Sequence, residues 1–181
     1  MGRGAGIKVH ADFILKEKGE EGLKKLEDTI ARLGHPIKYN EIKGMEFYPL
    51  GLEAVTLLAI ERLFDFNDEK FQEMGEFVVK FSVVIKLFMR FFISLDKLLK
   101  EAPGMWRKGS TIGDLKIAEY NRDNKYAIIR LENYRLHPIY CSILKGYFLG
   151  AIKMIVKSKA IVKETKCIYR GDEYHEFLLK W

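Results

Sequence analysis

The chain is poor in cysteine, in proline and in long apolar runs, and each scarcity narrows what it does. Two cysteines in 181 residues, Cys141 and Cys167, exclude the disulfide framework of a small secreted domain. They read as thiols kept reduced, packed in the core or bound to a metal. No secretory leader opens the chain, because MGRGAG runs into the amphiphilic IKVHADFILK and not into an apolar stretch; the expected location is cytoplasmic. No membrane span is expected either. The most apolar stretch, FVVKFSVVIKLFMRFFISL (77–95), is broken by Lys80, Lys86 and Arg90. Blocks of one charge are also missing. The 31 basic and 25 acidic residues leave a net charge of +6, yet no basic run of five or six occurs and no aromatic RNA-binding signature is present. Nucleic acid is therefore not an expected partner.

What is present is apolar mass, 48% of the residues, enough for one core and one domain over 1–181. Residues 1–104 read as mainly helical. After a short strand near 7–14 comes a helix over 20–33, with Leu23, Leu26, Ile30 and Leu33 on one face and Gly34 and Pro36 to stop it. GRGAG precedes any strand and reads as a flexible start. An irregular stretch over 39–49 leads into a helix over 50–64, and a long helix runs from about 68 to 100, closed by Ala102-Pro103-Gly104. Residues 105–181 change period. Strands over 111–120 and 125–131 flank the turn cluster Asn121-Arg122-Asp123-Asn124, a helix spans 139–154, and strands over 160–169 and 174–179 hinge at Gly171-Asp172. The fold class is α+β: N-terminal helices packed with a four-stranded antiparallel sheet made of two hairpins separated by a helix.

On the long helix Phe81, Val84, Phe88, Phe91, Phe92 and Leu95 share one face, with Lys86, Arg90 and Lys97 opposite. Such a stripe is core by default. With Trp106 just beyond, Phe81, Phe88, Phe91 and Phe92 also make the candidate wall of an apolar ligand pocket.

The chemistry concentrates in ETKCIYRGDEYHEF, residues 164–177. With a three-residue loop, Cys167 and His175 face each other across the last hairpin, close enough for a thiolate and an imidazole to share a metal. Glu164 stands three residues before Cys167. An odd separation points to opposite strand faces, so joint ligation needs a bulge or a strand end. By residue type alone, without a CxxC spacing, Cys141 reads as a small core residue and His175 as a solvated strand histidine.

From Cys141 onward the chain resembles the end of the 4-vinyl reductase-type domains. Their superfamily also holds the haem-based nitric oxide and oxygen sensors and, more distantly, subunits of the TRAPP trafficking complexes. In the phenol-sensing members the zinc ligands run Cys, twenty-two residues, Glu, two residues, Cys, seven residues, Cys. Cys141, Glu164, Cys167 and His175 keep all three spacings, with His175 in place of the last cysteine, and Arg170-Gly171-Asp172 and Phe177 match the turn and its aromatic position. The resemblance implies one structural Zn²⁺ on these four residues, an apolar cavity for a small apolar or aromatic ligand, and a homodimer. Haem is not expected: no histidine lies between Phe71 and Lys100, and Asn133-Tyr134-Arg135-Leu136-His137 lacks the serine of the propionate-binding cluster that the haem sensors carry. His10, His35 and His137 are isolated and read as lying near turns or strand ends. No catalytic motif appears, since His175-Glu176 is not extended to HExxH and Gly-x-Ser-x-Gly is absent. The expectation is a small-molecule-binding, sensor-type domain and not an enzyme. The alternatives are a TRAPP-like interaction scaffold and a tetrapyrrole-pathway protein.

Overall fold

The structure, a computed structural model, describes residues 1–82, 94–156 and 158–181. In chain order the elements are β1 (Gly2–Arg3), α1 (Gly4–Arg32), β2 (Phe47–Tyr48), α2 (Leu50–Phe64), α3 (Asp68–Phe81), α4 (Leu95–Gly109), β3 (Asp114–Asn121), β4 (Tyr126–Glu132), α5 (Ile139–Lys153), β5 (Ile161–Lys166) and β6 (His175–Lys180). Among the described residues no helix is long and apolar enough to cross a membrane.

Alternation builds the sheet. In β4, YAIIRLE, Ala127, Ile129 and Leu131 are buried while their neighbours are half-exposed, the pattern of a strand with one face on a core. Two hairpins, β3–β4 and β5–β6, join through an antiparallel β4–β6 ladder, giving the order β3-β4-β6-β5. This is the expected class. The central ladder is regular, but both outer strands carry a bulge, between Ile117 and Glu119 in β3 and between Glu164 and Lys166 in β5.

Helix α5 connects the hairpins and crosses α3 with almost no separation. A Cβ on Gly75 would collide with the Ile143 carbonyl, and one on Gly146 with the Gln72 carbonyl, so glycine is what lets the two backbones touch. Ser142 Oγ donates to Asp68 Oδ1 at 2.7 Å, tying the start of α5 to the first turn of α3.

Three expectations for the helical half are corrected. Residues 7–14 are helix, not strand: Ile7, Val9, His10, Ala11, Phe13 and Ile14 are all buried, and the alternation of Ile7, Val9, Ala11 and Phe13 with Lys8, His10 and Asp12, a strand pattern in sequence, is overridden by tertiary packing that buries His10 too. The helix breaks at Gly19 (φ 67) and resumes at Glu20, where the amphipathic pattern begins. The GRGAG start is fixed, not flexible, because Gly2 and Arg3 pair with Tyr48 and Phe47 and a Cβ on Gly4 would stand 2.6 Å from the Lys43 carbonyl. The long helix ends at Phe81, where Ser82 turns extended (ψ 116). A new helix begins after Ser94, whose Oγ accepts from Lys97 N–H at 3.3 Å. It runs through Pro103 to Gly109, past the expected stop. Proline removes one helical hydrogen bond, and here the helix continues around that gap.

Candidate metal centre

Each of the four expected ligands is delivered by a local feature of the chain. Pro138 opens α5, with a φ of −54° already near the helical value, and sets Cys141 in the first turn at 7% exposure. On the facing hairpin the last ladder pair is Lys166↔Glu176, so Cys167 and His175 come next as expected, but the connection is residues 167–174 with a 3₁₀ turn and not the expected three-residue loop between longer strands. The bulge supplies the rest. Glu164 pairs with Phe177 and Lys166 with Glu176, leaving Thr165 as the surplus residue. Residues paired across a ladder share a face, so Glu164 stands on the face of Phe177 and His175, and Cys167 joins it. Thr165 Oγ1 secures the bulge by donating to the Glu176 carbonyl at 3.2 Å and to Glu176 Oε1 at 3.0 Å. Beyond the strand a 3₁₀ turn over Ile168–Arg170 ends at Gly171 (φ 96), a left-handed position suited to glycine. Asp172 Oδ2 accepts from the Cys167 N–H at 2.7 Å and closes the turn.

Cys141, Glu164, Cys167 and His175 each offer one ligand atom, and these atoms all lie within 4.8 Å of one another. Cys141 Sγ is 3.5 Å from Cys167 Sγ and 3.6 Å from His175 Nδ1, and His175 Nδ1 is 3.4 Å from Glu164 Oε1. A four-coordinate ion with bonds of about 2.0–2.3 Å in tetrahedral geometry spaces its ligand atoms about 3.3–3.8 Å apart. All three separations fall in that range.

The surroundings prepare the same arrangement. His175 Nε2–H donates to the Tyr134 carbonyl at 3.2 Å, which turns Nδ1 toward Cys141 Sγ and Glu164 Oε1. The Arg170 guanidinium donates to Glu164 Oε2 at 3.0 Å, so Oε1 is the oxygen turned inward. Burial, then the nearby Glu164 carboxylate and Cys167, pushes the Cys141 thiol far up. Burial also raises Glu164, but hydrogen bonds from His175 and Cys141 and the Arg170 charge outweigh it and hold the carboxyl below its usual value. A buried pair of thiols beside a carboxylate wants a cation. Two thiolates, an imidazole and a carboxylate suit a divalent transition-metal ion of intermediate softness.

The expected pocket residues are not brought together in this way. Phe88, Phe91 and Phe92 lie outside the described residues. Phe81 is 46% exposed at the end of α3, stacked on Phe77 with centroids 4.2 Å apart. Trp106 is half-buried; its Nε1–H donates to the Ile112 carbonyl at 3.0 Å, and its ring meets Tyr134 edge-on. Two open surface grooves are present, one of 740 Å³ against residues 34–42 and the start of α2, the other of 510 Å³ near Ser110 and Asn133. Neither is lined by Phe81 or Trp106.

Sequence reasoning missed a buried polar group in the interior. His10 is not near a turn; it lies inside α1 at 2% exposure, with Nδ1 3.6 Å from Glu53 Oε1 of α2. Burial alone pushes His10 down to about 4, and burial pushes Glu53 up to about 7 against a lowering interaction with Tyr140 of α5. His10 Nδ1 and the Tyr140 hydroxyl are the buried side-chain polar atoms that lack a hydrogen-bond partner among the described residues. Forty-three positions separate His10 from Glu53 and eighty-seven separate Glu53 from Tyr140, so no local pattern announces the group.

No protein-family model and no curated protein matches the chain, but solved structures do. An H-NOX protein from S. oneidensis in the Fe(II)NO ligation state superposes with a TM-score of 0.76 at 12% identity, covering 98% of each chain. An oxygen-binding H-NOX domain related to soluble guanylate cyclases gives 0.69 at 14% identity, over 98% of this chain and 94% of that one. A protein studied for haem redox potential tuned by porphyrin distortion gives 0.71 at 14%, over 99% of both. The fold is that of the H-NOX domains.

Two expectations are corrected by these neighbours. The domain was expected to be of the 4-vinyl reductase type, with TRAPP-like relatives; the structures it matches include H-NOX proteins instead. The expected cofactor set, Zn²⁺ without haem, falls as well, since the neighbours are described with ligated iron and with haem. For haem to fit this chain an axial ligand is needed. Helix α4 contains no histidine, His175 is committed to the cluster, His35 is exposed, and His137 Nδ1 accepts from the Ile139 N–H. His10 is the remaining buried imidazole, and its Nδ1 is unpartnered.

Proposed function

We propose that the chain is a small-molecule-binding domain on the H-NOX fold, with one divalent transition-metal ion clamping α5 to the β5–β6 hairpin through Cys141, Glu164, Cys167 and His175. The observation that carries the metal is the convergence of four buried or half-buried ligand atoms within 4.8 Å of one another, with three of their separations at 3.4–3.6 Å. With four protein ligands the ion has no open position for water, so its role is structural and no catalytic step is assigned to it. Support for small-molecule binding comes from the fold, which is shared with proteins that hold NO or oxygen. The sequence adds the aromatic set Phe81, Phe88, Phe91, Phe92 and Trp106 as the wall of that site. A homodimer belongs to the same reading, and sedimentation of the purified chain tests it.

Protein purified without chelator should contain one equivalent of metal, and replacing it with Co²⁺ should give thiolate-to-cobalt charge-transfer bands with tetrahedral d–d bands. Cys167→Ala should abolish both and lower stability by several kcal/mol, because metal affinity at a structural site is folding energy. Substoichiometric metal, together with a Cys141→Ser variant that melts like the parent, would remove the metal from this reading. Titration with haemin, followed at the Soret band, tests haem as the bound molecule in the same preparation.

A further inference from the structure

The ring nitrogen of His175 that faces away from the cluster is held by main chain. Its Nε2–H donates to the Tyr134 carbonyl at 3.2 Å, in a buried position. An imidazole that binds a metal through Nδ1 carries its proton on Nε2, and the acceptor of that proton fixes the ring and raises its basicity. No side-chain substitution can delete a carbonyl. What the sequence can set is where the carbonyl points.

Asn133 sets the chain. It directly follows the last residue of β4 and has a φ of 54°, the left-handed region. Asparagine tolerates that region better than most residues that carry a Cβ. Its side chain is exposed, and Nδ2 donates to Asp114 Oδ2 of β3 at 2.8 Å. Asn133 thus fills no space in the core; its backbone turns the end of the strand into the segment that presents the Tyr134 carbonyl. The Tyr134 ring is held independently. It meets Trp106 and Tyr140 edge-on, and a Cβ on Gly113 (φ 82) would stand 2.9 Å from Tyr134 Cδ2.

We infer that Asn133 is a positioning residue of the metal centre: its left-handed backbone aims the Tyr134 carbonyl at His175 Nε2–H and so fixes the imidazole for coordination through Nδ1. This rests on the metal reading above and adds to it a residue outside the cluster.

The test compares Asn133→Ala with Asn133→Gly. Both lose the bond to Asp114, but only glycine takes the left-handed conformation without strain. Affinity is read by competition for Co²⁺ between the folded protein and a chromophoric chelator. Asn133→Ala should bind about tenfold more weakly than the parent, with unchanged stoichiometry, as when an outer-shell partner of a metal ligand is disturbed. Asn133→Gly should bind within about twofold of the parent. A signature at His175 separates aim from general loosening. In ¹⁵N-histidine-labelled protein loaded with Cd²⁺, the His175 Nε2–H should be visible and slow to exchange with water. It should be lost to exchange in Asn133→Ala and return in Asn133→Gly. Asp114→Ala, which removes only the side-chain bond, should match the parent in both readouts. Equal affinity in the parent and Asn133→Ala overturns the inference, and so does an equal loss in the alanine and glycine variants. An Nε2–H signal that Asn133→Ala leaves unchanged overturns it as well. If the parent itself binds no Co²⁺ or Cd²⁺, the metal reading fails, and the same Nε2–H comparison on metal-free protein still decides whether Asn133 aims the carbonyl.

Discussion

His10 and Glu53 should oppose each other in the pH dependence of stability, and removing either one should expose the other. Burial lowers His10 from 6.5 to about 4 and raises Glu53 from 4.5 to about 7. Each shift spans roughly 2.5 pH units, worth about 3 kcal/mol at 1.36 kcal/mol per unit. The signs differ. Folded Glu53 keeps a proton that the unfolded chain has released between pH 4.5 and 7, so its contribution falls as pH rises through that window. Folded His10 lacks a proton that the unfolded chain binds between pH 6.5 and 4, so its contribution falls as pH drops. Between about pH 4.5 and 6.5 the two slopes cancel. Neither shift has the other residue among its causes, so each slope should survive loss of the partner. Glu53→Gln should therefore gain about 3 kcal/mol of stability, relative to the parent, from pH 4.5 to 7, and His10→Gln should lose about 3 kcal/mol from pH 4 to 6.5. Urea unfolding at half-unit steps, read as variant minus parent at each pH, cancels any contribution from the metal ligands. Flat difference curves for both variants, or two curves of the same slope, would refute the reasoning.

Two further outcomes rest on packing and on the last turn. Gly146→Ala should destabilise by about 1–3 kcal/mol, or force α3 and α5 apart, because the new methyl meets the Gln72 carbonyl; denaturant melts and the dispersion of α5 amide resonances read the two effects. Asp172→Ala should cost about 1 kcal/mol through the lost acceptor for the Cys167 N–H, and it should speed metal release to a chelator without changing the stoichiometry.

The clustering of Cys141, Glu164, Cys167 and His175 was legible only through the spacings of the family the chain resembles, since residue type alone left Cys141 a core residue and His175 a solvated one. Cys167 and His175 sit at the ends of one hairpin, and the odd Glu164–Cys167 separation itself called for the bulge that Thr165 provides. Helix α5 was legible from its proline start. The misreadings have physical sources. The segment 7–14 alternates apolar and polar residues like a strand, and only the burial of His10 in the packed helix breaks that alternation. Pro103 looked like a stop, but only neighbouring structure decides whether a helix absorbs a proline. The breaks at Ser82 and Ser94 interrupt a pattern that stays helical in sequence. His10, Glu53 and Tyr140 meet only through the packing of α1, α2 and α5, which no run of residues encodes. Phe88, Phe91 and Phe92 lie outside the described residues.

The two bulges of the sheet have a bearing on how copies of this chain meet one another. A sheet with open outer strands offers rows of unpaired amides and carbonyls, and another molecule can extend it indefinitely. Here β3 and β5 are the outer strands, and each is interrupted by a surplus residue, while the enclosed β4–β6 ladder is not. In β5 that residue is Thr165, and the exposed Lys163 lies just before it. The kink that turns Glu164 toward the cysteines thus also interrupts the template for strand addition along β5.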